Sequence, residues 1–303
     1  MPNKGGGQGL LPVAEARARI LAGLSPGQAE TCHLAEAMGR VLASDVAARL
    51  SLPVEPVSAM DGYAARVVDC GSVGTTLTRI GESAAGRPWT GTLGAGQAVR
   101  IFTGAVIPDG ADCIILQEDV DASAEEDGAS VIIGEVPREG RFIRPAGLDV
   151  TAGDIILAAG TVMSARLIAL ATSAGHTHVS LWPRPHVGVL STGDELVIPG
   201  ETPGRGQIIS SNATYLSAFV RACGGVPVNL GIARDRPGAM LEQVRSAPLP
   251  LDLIVTTGGA SVGVHDHVVD DLSSSGTELD FWKIAMRPGK PLIHGQIDGI
   301  PLL

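Results

Sequence analysis

The segment Ile254-Val255-Thr256-Thr257-Gly258-Gly259-Ala260-Ser261-Val262-Gly263 holds the densest chemistry in the chain. An apolar run feeds a glycine-rich stretch, and His265 to Leu272 then carries apolar residues at helical spacing. In a strand, glycine loop and helix start of this kind, backbone N–H groups crowd around an anion, and the positive end of the helix helps. Open α/β sheets bind ligands at the carboxyl ends of their strands. Thr257, Gly258, Gly259, Ser261 and Gly263 are therefore candidates for holding a phosphate-bearing ligand. A tight strand-to-helix turn without a ligand uses the same residues, and a lone glycine loop does not separate the two readings.

Other strand ends add charge. Ser191-Thr192-Gly193-Asp194-Glu195-Leu196 follows an apolar strand and offers two hydroxyls, a turn glycine and two carboxylates. Asp235 lies after the next strand, in Ala233-Arg234-Asp235-Arg236-Pro237, and Asp266 lies just past the glycine loop. Each alone reads as a cap or turn residue. Carboxylates at three consecutive strand ends read together as a place for a divalent cation or a ligand hydroxyl. Lys283-Ile284-Ala285-Met286-Arg287-Pro288-Gly289-Lys290-Pro291 then gathers three cations in an acidic chain, which suits phosphate or an oxyanion. Its two close prolines argue for a shaped loop over a regular strand. The N-terminal half contributes Ser58-Ala59-Met60-Asp61-Gly62-Tyr63-Ala64, Arg100-Ile101-Phe102-Thr103-Gly104-Ala105 and Arg144-Pro145-Ala146-Gly147-Leu148-Asp149. Asp61-Gly62 and Leu148-Asp149 are turn-like in composition.

The elements that must position these residues fall into two halves. Val13 to Leu24 is an amphipathic helix stopped by Ser25-Pro26-Gly27, Leu34 to Gly39 a second short helical piece, and Val41 to Leu52 extended. To about Pro137 the chain alternates in short strands, among them Val99 to Phe102, Cys113 to Leu116 and Ser130 to Ile133. Glu125-Glu126-Asp127-Gly128 reads as a solvated hairpin tip. Ser164 caps a helix through Ala174, which Gly175 ends. After the linker Trp182-Pro183-Arg184-Pro185, strands and helices alternate. The strands are His186 to Leu190, Val226 to Ile232, Leu253 to Val255 and Phe281 to Met286. The helices are Asn212 to Cys223, Gly238 to Arg245 and His265 to Leu272. This alternation predicts a parallel sheet with helices on both faces. The fold class is α/β plus a β-rich N-terminal half.

Composition sets outer limits. A chain of 303 residues has room for about two domains. With 45% hydrophobic residues, 40 Gly and 20 Pro it reads as globular and rich in turns. A net charge of −10 argues against a general nucleic-acid surface and leaves room for a local basic pocket. Cys32, Cys70, Cys113 and Cys223 are scattered, so they read as reduced thiols of a cytoplasmic protein and not as a disulfide frame or a zinc site. Met1 to Gly9 reads as neither a signal nor a transit peptide, and no run of about 18 apolar residues exists to span a membrane. The apolar ending Ile300-Pro301-Leu302-Leu303 reads as a fold cut short.

Taken together, the motifs resemble those of the molybdopterin molybdenumtransferase family (MoeA proteins, the gephyrin E domain and their plant counterparts). Ser58 to Ala64, Thr103 to Ala105, Ser191 to Leu196, Thr257 to Gly263 and Pro288 to Pro291 occur in the family's order, from about Leu11 to Leu303. Each motif is weak, and the ordered set is specific. The resemblance implies an elongated N-terminal dimerisation domain (10–50 and 141–182), an inserted β domain (51–140) and a MogA-like α/β domain (183–303). It further implies that family members continue past this point with a Gly-Leu-Pro-Gly-Asn-Pro type loop, the rest of the α/β domain and a small β-barrel domain.

The implied reaction inserts molybdate into adenylylated molybdopterin and releases molybdenum cofactor and AMP with the help of Mg²⁺. The implied assembly is a homodimer with a shared site. The family's functional positions fall on Asp61, Thr103, Asp149, Glu195, Asp235, Asp266 and Lys283, and on Arg287 where some members have Lys. On this reading Lys283, Arg287 and Lys290 hold molybdate in a loop shaped by Pro288 and Gly289. Ser191, Thr192, Gly193 and the glycine loop hold the nucleotide–pterin. Glu195, Asp235 and Asp266 hold Mg²⁺, and Asp61 and Asp149 come from the partner subunit. Arg287 presents a planar fork where Lys presents a point charge. Two other readings stand beside this one: a non-catalytic molybdopterin-binding or scaffold module of the same fold, and the adenylyltransferase that makes the adenylylated pterin, against which the long β-rich half argues. Neither nucleic acid nor membrane is an expected partner.

Overall fold

A computed structural model describes residues 10–258 and 279–303. They divide into two compact units, one holding the chain up to Thr31, Gly39–Ala43 and Ser180–Leu303, the other Cys32–Met38 and Ser44–Val179. Whereas the sequence reading groups residues 10–50 with 141–182, the helix Val13–Ala22 clusters with the C-terminal residues. Its Ala16 packs against Phe281 and Ile284, and its Arg19 donates to Asp280.

In the second unit, β1 (Gly62–Ala65), β2 (Thr76–Ser83), β3 (Gln97–Ile101), β4 (Cys113–Leu116), β5 (Val120–Ala122) and β6 (Ser130–Ile133) form one sheet in the order β4-β1-β3-β2-β6-β5. All neighbours are antiparallel except β2 and β3. Period-two alternation sends Tyr63 and Ala65 into one apolar cluster and Ala64 into another, so β1 is buried along its whole length. Gly62 opens this strand and does not make the turn its composition suggests: a Cβ there would stand 2.0 Å from the Ile115 carbonyl oxygen. The need is for space, which composition does not reveal. The helix Ala165–Ser173 starts where the Ser164 hydroxyl accepts the Leu167 N–H and stops before Gly175, at φ +94°.

In the first unit, β7 (His186–Thr192), β8 (Val226–Ala233), β9 (Leu253–Thr257), β10 (Leu279–Lys283), β11 (Pro291–Ile297) and β12 (Ile300–Leu302) form a sheet in the order β8-β7-β9-β12-β11-β10. The strands β8, β7, β9 and β12 are parallel, whereas β11 runs antiparallel to both of its neighbours. The sheet is thus mixed, which corrects the expectation of a wholly parallel one. Asp298 and Gly299 are the cause: both take positive φ (+50° and +81°), the two-residue turn that folds a chain straight back. Residues 284–290 make the expected loop, but Pro291 opens β11, at a first position where a proline is tolerated. Leu190, Ile254, Ile297 and Leu302 lie fully buried with Val228, Leu230, Met240 and Val244, the last two from the helix Ala239–Arg245. The helix expected over His265 to Leu272 lies outside the described residues. Among the described residues no helix is long and apolar enough to cross a membrane. None of Cys32, Cys70, Cys113 and Cys223 forms a disulfide among the described residues.

Truncating a central side chain of this sheet should therefore be costly. Ile254→Ala, at a position 0% exposed, is expected to lower stability by about 2–5 kcal/mol in a urea titration. Ile155→Ala, at a position 58% exposed in the other unit, is expected to stay within about 0.5 kcal/mol of the parent.

Candidate active site

Strand direction alone sets the site's layout in the α/β unit. β7, β8 and β9 are parallel, and β10 recovers their direction after the two reversals at β11. All four therefore end on one side of the sheet. There they release the turn 193–195, the loop from Arg234, the stretch from Gly258 and the basic loop 284–290. β10 lies three strands from β9, about 14 Å at ordinary strand spacing. That span suits an extended ligand better than a compact one.

The acidic end is tightly built. Gly193 (φ +140°) donates to the Ala233 carbonyl at 3.1 Å, and a Cβ there would stand 2.2 Å from a Glu195 carboxylate oxygen. Arg234 Nη1 donates to the Asp194 and Leu196 carbonyls at 3.2 and 3.0 Å, pinning the turn from below. Asp194 and Asp235 exchange bonds. The Asp194 N–H donates to Asp235 Oδ2 at 3.3 Å and the Asp235 N–H to Asp194 Oδ1 at 3.2 Å. Two exposed carboxylates are thereby held side by side, each with an oxygen left open. Next to them Thr192 Oγ1 donates to the Thr257 carbonyl, and Asn212 Nδ2 donates to Thr257 Oγ1. Gly258 (φ +94°) passes so close that a Cβ would meet the Thr192 carbonyl oxygen at 2.4 Å. Ser191 is buried, bonded through its hydroxyl to Ser210 at 2.9 Å, and so supports the strand end without facing solvent.

At the basic end, the Ile284 N–H donates to the Lys290 carbonyl at 2.9 Å and closes the loop, with Gly289 at φ +107°. Lys283 Nζ lies 3.8 Å from the centroid of the half-exposed Trp282 ring. Among the described residues none of Lys283, Arg287 and Lys290 has a carboxylate partner. Three cations without acids of their own suit an incoming anion.

In the other unit, Asp61 and Thr103 are brought together from positions 42 residues apart. Asp61 Oδ1 accepts both the Thr103 N–H and the Thr103 hydroxyl, each at 2.7 Å. The Thr103 amide first, then its hydroxyl and the charge of Arg100, hold the Asp61 carboxyl below its ordinary value of 3.8. The segment before Asp61 is tied on two sides. Ser58 bonds Ala105 and Gly104 through its backbone, and the Ala59 N–H donates to Phe142, a residue at φ +59°. A bulky residue in that left-handed conformation is strained. Asp149 is exposed and pairs with Arg144 at 2.5 Å.

The structure thus gathers Thr192, Gly193, Glu195, Asp235, Thr257 and Gly258 at one sheet end, sets Lys283, Arg287, Pro288, Gly289 and Lys290 along the same end, and pairs Asp61 with Thr103. Gly259, Ser261, Gly263 and Asp266 lie outside the described residues. Sequence reasoning missed Arg234 and Asn212, and it named Asp194 without seeing it as the partner of Asp235. The basic residue directly before Asp235 was the available signal.

A family model described as the MoeA N-terminal region (domain I and II) matches residues 11–175, and one described as a probable molybdopterin binding domain matches residues 188–300. The chain belongs to the molybdopterin molybdenumtransferase family. The molybdopterin molybdenumtransferase of Haemophilus influenzae is 36% identical over 290 residues, covering 95% of this chain and 70% of that protein. That of a Nostoc species is 36% identical, covering 93% and 66%. The chain therefore spans about two thirds of the length of these relatives. A molybdopterin biosynthesis MoeA protein from Pyrococcus horikoshii superposes with a TM-score of 0.85 at 28% identity, covering 97% of this chain and 74% of that one.

The Asp61–Thr103 bond carries a pH signature. Because the Asp61 carboxyl is held below its ordinary value, the stability it contributes is fully present above pH 3.8 and is lost as pH falls through the lower folded value. The Thr103 amide is expected to resist hydrogen exchange down to that lower pH, and in Asp61→Ala to exchange freely at every pH, as read by exchange mass spectrometry.

Proposed function

We propose that the chain inserts molybdate into adenylylated molybdopterin, releasing molybdenum cofactor and AMP. The observation that carries this reading is the single sheet end that offers paired carboxylates and a glycine approach on one side and three acid-free cations on the other. A nucleotide–pterin lying along that end would set its phosphates near Gly258 and Thr257. Molybdate, a tetrahedral dianion, would meet Lys283, Arg287 and Lys290. The acidic chain disfavours stray anions elsewhere, so local cations gain weight.

Mg²⁺ fits the carboxylates present. It takes one or two of them together with substrate oxygens and water, and Asp194 and Asp235 leave one oxygen each beyond their mutual bonds. We assign Asp235 to that role with Asp194 beside it, together with Glu195, which lies against Gly193 in the same turn, and Asp266. Bound there, Mg²⁺ would neutralise charge that develops on the cleaved phosphoanhydride. Arg234 holds the turn's carbonyls inward and leaves the carboxylates facing out. Asp61, its charge fixed by Thr103, positions substrate as a permanent anion at neutral pH, and Asp149 joins it from the same unit. The reading includes a cytoplasmic homodimer in which Asp61 and Asp235 of one site come from different subunits.

Molybdate-dependent AMP release from adenylylated molybdopterin with Mg²⁺ tests the activity. Asp266→Ala and Asp235→Ala are each expected to abolish it; unchanged release in either variant would remove that residue from the assignment. Nucleotide binding without any release by the parent chain would favour the scaffold reading. Mixing separately inactive Asp61→Ala and Asp235→Ala proteins tests sharing. A shared site predicts recovery of about a quarter of the parent activity through mixed dimers, whereas a site within one chain predicts none.

A further inference from the structure

Arg100 is half-buried and has no carboxylate within salt-bridge distance among the described residues. The acid opposite it in the sheet register, Glu82, is already engaged by Arg79. The guanidinium of Arg100 goes elsewhere. Nη1 donates to the Gly62 carbonyl at 3.1 Å and Nη2 to Gln117 Oε1 at 2.6 Å. Its carbon sits 5.2 Å from the centre of the Tyr63 ring and 4.8 Å from that of Phe102.

Each of these partners borders the Asp61–Thr103 pair. Gly62 follows Asp61 in the chain, and Phe102 precedes Thr103. The backbone N–H of Gln117 donates to the Asp61 carbonyl at 3.2 Å. A planar fork stacked against two rings has little freedom, and an ammonium could not reach both acceptors from one rotamer. The other charged groups around this face are Glu82 and Asp127, both paired with Arg79, Glu125, which lines the same cavity, and Glu118, which accepts from Gln117 Nε2. Asp61 itself spends Oδ1 on Thr103 and leaves Oδ2 without a hydrogen bond among the described residues.

We propose that Arg100 is a positioning residue for the transfer reaction, locking the chain on both sides of Asp61 and beside Thr103 so that Asp61 Oδ2 is held at a fixed place for substrate. The proposal rests on the reading of Asp61 as a substrate-contacting group. Arg100 touches no reacting atom; it acts through the geometry of Asp61.

The test uses the full chain with ¹³C-carboxyl-labelled aspartate, the Asp61 signal being assigned by its loss in Asp61→Asn. In Arg100→Gln the Asp61 midpoint is expected to rise and kcat for AMP release to fall by about 10²-fold with KM unchanged. Arg100→Lys restores charge without the fork, so the midpoint should return toward the parent while kcat stays low. Loss of the Arg100 charge moves the midpoint by itself, so positioning is read from the kcat that Arg100→Lys fails to restore, which a purely structural arginine would leave unchanged. A folded Arg100→Gln or Arg100→Lys protein with the parent's kcat would overturn the proposal. Should that variant fail to fold, Gln117→Ala frees one arm of Arg100 and is expected to move both readouts the same way by less; no change in either would equally overturn it. A parent chain that releases no AMP would instead sink the proposed reaction, and exchange of the Thr103 amide, which Asp61 Oδ1 accepts, would still decide the role of Arg100: protection lost in both Arg100→Gln and Arg100→Lys supports it, and protection kept in both overturns it.

Discussion

Parallel strands all finish on one side of their sheet, and the chemistry of the α/β unit depends on this constraint. Hydrogen-bonded register between β7, β8 and β9 brings Thr192 level with Ala233 and Ser191 level with Thr257, and every loop that follows must begin there. The antiparallel pairings of β11 set β10 along the same end. Acids and cations far apart in sequence become neighbours along a line. Little of this arrangement is specified by the loops themselves. Their part is to approach closely, which is why Gly193 and Gly258 stand where side chains would collide with Glu195 and with the Thr192 carbonyl.

The β-rich unit solves a different problem. Asp61 and Thr103 lie at strand ends, where backbone is least constrained, yet a substrate contact must be held closely. The unit answers with redundancy: Ser58 and Ala59 are tied on both sides, Thr103 donates twice to one oxygen, and Arg100 spans the flanks. The strain at Phe142 sits within this bracing and is tolerated because the neighbouring bonds over-determine the backbone.

How much of this was legible depended on the range of the interaction concerned. Strand ends at Thr192, Ala233 and Thr257 are announced by local apolar runs that stop at Gly or at the charged pair Arg234-Asp235, so the rim of the α/β sheet could be read from composition. The helix Ala165–Ser173 was likewise written in its cap, Ser164, and its stop, Gly175. The Asp61–Thr103 pairing could not be derived that way, because it follows from the register of Tyr63 against Arg100 across the sheet. Resemblance named both residues and said nothing of their bond. Gly62 was misread because a glycine needed for space and one needed for a turn look alike in sequence. The mixed sheet was missed although Asp298-Gly299 is a strong hairpin signal, because the expectation of alternating strands and helices left no place for a hairpin.

The slot taken by β12 has a consequence for how the molecule is made. Ile300–Leu302 lies between β9 and β11, not at a margin, and Leu303 exchanges backbone bonds with Ile254 and Thr256. On a ribosome, the α/β sheet therefore stays in two separate pieces until these late residues emerge. During that interval β9 and β11 each expose a bare edge, the kind of surface on which nascent chains stick to one another. Shielding by chaperones or a pause in synthesis would matter most for this half of the protein, while the β-rich unit, all of whose strands come earlier, can already be complete.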